Sequence, residues 1–492
     1  MARRPPAARP ERGPAGQPGA RARRPLPERF YLVRDYLLGT LWFVPAAIVA
    51  GSLALAAGMV ELSAHVDDEA LARWPRVFGA SAGSSRSILS AVAGGMITVA
   101  GLTFSLTMIA ATQASSQFTP RVLRTFLGDR ANQLALGTFV GIFTYCLVVL
   151  RTIRSPDDDG ARFVPSLAVV LGIALAVLGV GVLIVFVHHI ASTLQASSIV
   201  ARVTRETVRA VDALFPDALG REAPDAVARA AGAAAAVTAW HPVPARASGY
   251  VQRVDEDRLL RAAHEAGRLV RMDRGVGDYV VEGRPVASVA ADAGAGGLRP
   301  GAERGVPAPA PTADPEALAE RVADAFRVGE YRTVEQDAAF GVRQLVDVAL
   351  RALSPGVNDT TTAASCVDYL GAVLVRLADR RVGSPVRERD GEVRVLARGP
   401  SYEHLVRLAC DEIRQNAGGN VGVLHRLFDM LAQVADATGD GRRRALLAEQ
   451  IALVHEVAAR TVPAPFDRER LDEAYRTAAR AAGRAGPHAA SA

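Results

Sequence analysis

Lysine is absent. All 57 basic residues of this 492-residue chain are arginine, and the absence removes whole chemistries. A phosphate loop of the form G-x-x-x-x-G-K-[ST] cannot be built. A Schiff-base nucleophile has no amine, and biotin or a lipoyl group has no attachment point. Cysteine is scarce as well. Cys146, Cys366 and Cys410 stand far apart with no CxxC pair, which speaks for a reduced protein without disulfides or a zinc site. No G-x-S-x-G elbow, H-E-x-x-H pair or Cys/His arrangement is found, so the sequence asks for neither an enzyme nor a cofactor. The net charge of +6 is scattered among acids rather than gathered on one face, which disfavours nucleic acid as a partner.

What is abundant is apolar sequence, concentrated in the first 190 or so residues. Mean hydropathy is +0.15 with 22% charged residues, and four long runs account for it. They extend from about Leu37 to Val60, Ile88 to Ala111, Leu134 to Leu150 and Ser166 to Val187. Each approaches or exceeds the ~18 uncharged residues that mark a membrane-spanning helix. Arg21, Arg23, Arg24, Arg29 and Arg34 precede the first run. Arg121, Arg124 and Arg130 separate the second from the third, and Arg202, Arg205 and Arg209 follow the fourth. The loops after the first and third runs are more acidic (Asp67 to Glu69, Asp157 to Asp159). The positive-inside rule then predicts both termini in the cytoplasm of a bacterial inner membrane.

The expected fold is an α-helical integral membrane protein of four spans. Its cytoplasmic region should hold a small β-barrel-like module and a mainly helical domain. Residues 1–28, rich in Arg and Pro, should be disordered. The membrane domain occupies 29–190 and a helical connector 191–245. The β module covers 246–290, where Gly275, Gly277 and Gly283-Arg284-Pro285 punctuate short β segments. Its rhythm is similar to that of lipoyl-type barrels, without their lysine. A Gly/Ala/Pro-rich linker follows at 291–314. The helical domain spans 315–480, including a charged hairpin with Asp390-Gly391 as its turn, and a tail closes the chain at 481–492.

Two stretches are long and specific. GLTFSLTMIAATQASSQFTPRVLRTFLGDRANQLALGTFVGIFTYCLVVLR begins at Gly101, and EYRTVEQDAAFGVRQLVDVALRALSPGVNDTTTAASCVDYL begins at Glu330. Together they resemble the signature regions of a bacterial membrane family known as domain of unknown function family 2254. The resemblance covers most of the chain after residue 30. It implies a multi-pass membrane protein and carries no activity or site residues with it.

Within the second run, Thr98, Ser105, Thr112 and Thr119 recur every seven residues, with Gly94, Gly101 and Ser115 or Ser116 on the same side. Residues seven apart lie within ~20° on a helix, so this is one small-and-polar face. Either it lines a wet pathway, or it packs helices tightly. Gln113, Ser116 and Gln117 extend it with amides and hydroxyls that close packing does not require, and a buried amide without partners costs roughly 2 kcal/mol. Arg121 and Arg124 follow, as an anion-gathering mouth or as anchors for lipid phosphates. Thr98, Gly101, Ser105, Thr112, Gln113, Ser116, Arg121 and Arg124 are therefore the candidate pathway residues. In the helical domain, Glu335, Gln336, Asp337 and Arg343, with Asn358, Asp359 and Thr360, are candidates for a ligand pocket. The plainer reading of these is helix capping and ion pairing. No metal site is expected, and His188 and His189 read as interfacial anchors.

These features predict a channel-like or transport-related homo-oligomer in the lipid bilayer, moving a small ion or solute. Its second span would line the pathway, and its cytoplasmic domains would assemble or gate it. The alternative class is a membrane-anchored sensor or scaffold that binds a ligand or partner in the helical domain.

Overall fold

The computed structural model describes residues 40, 42–65, 81–117, 129–154, 163–193, 196–215, 231–232, 234–235, 237–291, 315–383, 386–389 and 392–483. The expected tail at 1–28, most of the linker, Thr119, Arg121, Arg124, the Asp157–Asp159 loop and the Asp390-Gly391 turn lie outside them. The described residues form two compact units, divided within one helix after Ala111 and within another after Val187.

In the first unit, uninterrupted apolar sequence produces the four helices that hydropathy predicts. They are α1 (Phe43–His65), α2 (Ala82–Gln117), α3 (Arg130–Thr152) and α4 (Ser166–Thr193), each long and apolar enough to cross a membrane. The second helix has 36 residues, about 54 Å at 1.5 Å per residue. It runs without a break from its apolar part through the polar ATQASSQ segment.

Glycine sets the helix contacts. On α3, Gly137 and Gly141 are one turn apart, and α1 lies directly against them. A Cβ on Gly137 would stand 2.6 Å from Ile48 Cδ1 and 3.0 Å from Pro45 Cα, and one on Gly141 would stand 2.6 Å from Ser52 Oγ. Small residues four apart let helix backbones approach where lipid offers no hydrophobic gain. Gly172 and Gly179 of α4 likewise receive Leu89 and Met96 of α2. Two polar ties reinforce the unit: Tyr145 donates to the Ala168 carbonyl at 2.8 Å, and Arg86 to the Ile153 carbonyl at 2.6 Å.

The second unit has a helical and a β part. Its helices are α5 (Ala196–Leu214), α6 (Glu256–Glu265), α7 (Pro315–Ala323), α8 (Ala338–Leu353), α9 (Thr360–Leu377), α10 (Tyr402–Asn416), α11 (Val421–Asp436), α12 (Gly441–Thr461) and α13 (Pro465–Gly483). Helix α5 and helices α8 to α13 share one core that includes Val211, Leu345, Leu370, Leu374, Leu405, Phe428 and Ile451. Helix starts follow the capping rule: Asp337, Asp359, Ser401, Asn420 and Asp440 each accept a backbone N–H from the first turn of the helix they precede.

The β strands are β1 (Trp240–Pro244), β2 (Gly249–Val254), β3 (Val270–Met272), β4 (Tyr279–Val280), β5 (Pro285–Ala290), β6 (Phe326–Gly329), β7 (Val386–Arg389) and β8 (Glu392–Leu396). They do not close into a barrel. One sheet has the order β1-β5-β3-β8-β7 and the other β4-β2-β6. All pairs are antiparallel except β3 with β8. The barrel-like expectation fails because the turn-and-strand rhythm of 246–290 supplies only four strands. The sheets are completed by segments distant in sequence, β6 and the β7–β8 hairpin, with β1 and β7 as the edges of the five-stranded sheet and β4 and β6 as those of the other. Helices α6 and α7 cover a core of Val251, Leu259, Val286, Val289, Leu318 and Val395.

Gly341 of α8 lies directly against Thr207 of α5. A Cβ there would fall 2.8 Å from Thr207 Cβ, besides meeting the Thr207 hydroxyl. Because Thr207 Cβ is fixed to the backbone, it cannot rotate away. Gly341→Ala gains about 1 kcal/mol of helix propensity, whereas overpacking costs about 1–3 kcal/mol. The expected outcome is net destabilisation, seen as a lower midpoint in denaturation of the purified full chain and faster amide exchange in α5 and α8. An unchanged midpoint would contradict the close contact.

Candidate functional site

Helix α2 has two unlike faces. Leu89, Ala93, Met96, Ala100, Thr103, Thr107 and Ala110 are buried within the unit. Gly94, Thr98, Gly101, Ser105, Thr112 and Gln113 are exposed. At 100° per residue the exposed small-and-polar row lies nearly opposite the packed row. Exposed Ile97, Phe104 and Met108 border it on one side, and Leu102 and Ile109 on the other. Among the described residues, no other part of the chain comes within 4 Å of where a Cβ on Gly94 or Gly101 would stand. Thr98 turns its hydroxyl back on the helix, donating to the Gly94 carbonyl at 2.8 Å, which lets a hydroxyl face an apolar medium at low cost.

Thr98, Gly101 and Ser105 are thus brought into one row that the packing of the described residues leaves exposed, and Thr112 and Gln113, further along the helix, are exposed as well. Ser116 stands in the last turn of the same helix. The sequence pattern missed where tight glycine packing occurs. It is on α3, and the spacing Gly137-x-x-x-Gly141 was the readable signal. Also missed was the buried side of α2, where Thr107 donates to the Thr103 carbonyl at 2.8 Å and Ser85 is fully enclosed.

The candidate pocket in the second unit has a different fate. Asp337, 4% exposed, caps α8 by accepting from Phe340 N at 2.8 Å and pairs with Arg332 at 2.7 Å. Burial raises the Asp337 carboxyl above the usual carboxylate range, although Arg332 pulls it down. Gly277 comes so close that a Cβ there would lie 2.7 Å from Arg332 Nη2 and would also strike the Asp337 carboxylate; its φ of +89° suits glycine. Gln336 accepts from Val254 N at 2.9 Å, tying the helical part to β2. Arg343 bonds Asp347 at 2.7 Å and also Glu412, chiefly through which its guanidinium is held more basic than usual. Glu335 lines a cavity of about 500 Å³ with Glu206, Arg209 and Thr333.

Asn358, Asp359 and Thr360 lie at the other end. Asp359 caps α9, accepting from Thr362 N at 3.0 Å and Thr362 Oγ1 at 2.6 Å, and the hydroxyl bond holds its carboxyl below the usual range. Asn358 has φ +49° and turns the chain between α8 and α9. Asp337 and Asn358 flank the two ends of α8, whose 16 residues span about 24 Å. The two segments therefore do not meet. Among the described residues no group of three or more His, Cys, Asp or Glu side chains is placed to hold a metal ion.

A family profile described as predicted membrane protein (DUF2254) matches residues 39–433. Uncharacterized proteins from Mycobacterium bovis and from two strains of Mycobacterium tuberculosis are each 35% identical over 443 residues, covering 89% of this chain and 79% of theirs. No solved structure matches.

Proposed function

We propose, on the premise that the chain belongs to the DUF2254 family of predicted membrane proteins, that it acts as a channel-like or transport-related homo-oligomer. One observation carries the reading: the row Gly94, Thr98, Gly101, Ser105 and Thr112 is exposed opposite the packed face of α2. Packing inside the chain would be the plain explanation of such a row, and among the described residues the close glycine packing lies on α3 and α4 instead. Copies brought together by the apolar borders of the row would enclose its hydroxyls. Hydroxyls replace part of an ion's hydration shell, and the bare glycines keep the passage open. The distribution of arginines supports an inner-membrane location with both termini cytoplasmic. Arg121 and Arg124 would then stand at the cytoplasmic mouth, and the second unit would assemble or gate the passage.

In the alternative, a membrane-anchored sensor or scaffold, the helical domain binds a ligand or partner; the EQD and SPGVND segments, at opposite ends of α8, would then contribute separately rather than as one pocket.

Single cysteines introduced as Thr98→Cys, Ser105→Cys and Thr112→Cys test the proposal. The native thiols are buried, and burial pushes those of Cys366 and Cys410 up to about 12, which leaves a quiet background. A membrane-impermeant thiol reagent is expected to modify all three positions in the intact membrane. Inert cysteines at 98 and 105 beside a reactive one at 112 would overturn the pathway and favour an anchor.

A further inference from the structure

The turn that follows β3 brings three arginines to one open cavity on the five-stranded sheet. Arg271, Arg274 and Arg398 line it with Asp273, Ser288 and Pro285, around a volume of about 420 Å³. Close backbone approach creates the convergence, since a Cβ on Gly275 would lie 2.8 Å from the Arg398 carbonyl. Two of the guanidiniums are held in place. Arg271 lies over the Trp240 ring at 4.5 Å and donates to Asp273 Oδ1 at 2.8 Å. Arg398 donates to the Asp273 carbonyl at 3.1 Å, with Asp278 3.6 Å away. The Asp273 carboxylate is further engaged by the Ser288 hydroxyl at 2.5 Å. Arg274 is exposed, and its side chain makes no hydrogen bond or ion pair among the described residues.

We infer that this cavity binds a phosphate monoester. Two carboxylates face the three guanidiniums: Asp273, which already accepts from Arg271 and Ser288, and Asp278 beside Arg398, so one positive charge, that of Arg274, is left uncompensated at a concave site. Planar guanidiniums match the oxygens of a phosphate group bidentately. A dianion relieves the mutual repulsion of the arginines, which a single surface Asp–Arg pair does only weakly. The volume suits a small ligand rather than a polymer. The monoester is either carried by a free phosphorylated metabolite or presented by a lipid such as phosphatidic acid. This inference stands independently of conduction through the spans.

The test is arginine footprinting with phenylglyoxal and mass spectrometry on the full chain in nanodiscs. In phosphatidylcholine discs, glycerol 3-phosphate is titrated at constant ionic strength. In a second arm the discs contain phosphatidic acid and no soluble phosphate. Arg274 and Arg398 are expected to be protected at least fivefold in one arm or both, and the protecting arm identifies the source. Arg274→Ala is expected to weaken protection of Arg398 by about tenfold, the loss of one charge-assisted contact, with unchanged circular dichroism. Absence of protection in both arms, or equal protection by sodium chloride, would overturn the inference. So would undiminished protection of Arg398 in the Arg274→Ala chain.

Discussion

Arg443→Met is expected to destabilise the second unit by about 3 kcal/mol, because it removes donors from several buried carbonyls at once. The last turn of a helix leaves its carbonyls without intrahelical partners. At the end of α9 these are met by Arg443, 8% exposed on α12, which donates to Leu377 O at 3.2 Å, Ala378 O at 2.7 Å and Arg380 O at 2.8 Å. Its charge also suits the negative end of the α9 dipole, and it stacks over Tyr402 at 4.3 Å. Methionine keeps much of the stem volume and none of the donors. Hydrogen exchange on the full chain should show lost protection at the end of α9 and the start of α12. Protection equal to the parent chain would contradict the capping role.

A similar loss, about 3 kcal/mol at neutral pH, is expected of Arg332→Ala, which leaves a buried carboxylate without its counter-charge. The Asp337 side chain is 3% exposed and that of Arg332 28%, which places the cost toward the low end of the range for buried pairs. Its pH dependence has a definite sign. Burial raises the folded-state pKa of Asp337 above its unfolded value. Such a group contributes most below the unfolded pKa and loses that contribution as pH rises through the folded one. Removing Arg332 raises the folded pKa further. The deficit of Arg332→Ala relative to the parent should therefore shrink as pH falls into the carboxylate range. Adding Asp337→Asn, which keeps a capping side chain, should recover much of the loss. Chemical denaturation across pH measures both effects; a deficit that grows on acidification would sink the account.

Local periodicity made much of this molecule legible. Four runs of apolar residues became α1 to α4, and of the residues read as possible helix caps Asp337 and Asp359 do cap α8 and α9. Contacts between distant segments were not legible. Nothing near Val270 announces that β8, more than a hundred residues later, pairs with it in parallel, so a local rhythm looked like a barrel. Arg443 reads as a surface charge until the end of α9 is laid against it. On α2 the heptad pattern located the polar row, yet only packing could show that the row faces outward while α3 carries the intimate glycine contact. The EQD and SPGVND segments look like one site in sequence because each is polar among helices. The rise of α8 separates them.

The central claim is that the exposed row of α2 lines a path across the membrane. Ion flux from proteoliposomes containing the purified full chain tests it most directly, with Ser105→Leu reconstituted at equal density. Ser105 is exposed at the middle of the row, and leucine there replaces a small hydroxyl with an apolar plug. The account predicts flux through the parent chain under an ion gradient or voltage, reduced at least tenfold in Ser105→Leu. No flux under any gradient or voltage, or undiminished flux through Ser105→Leu, would contradict it.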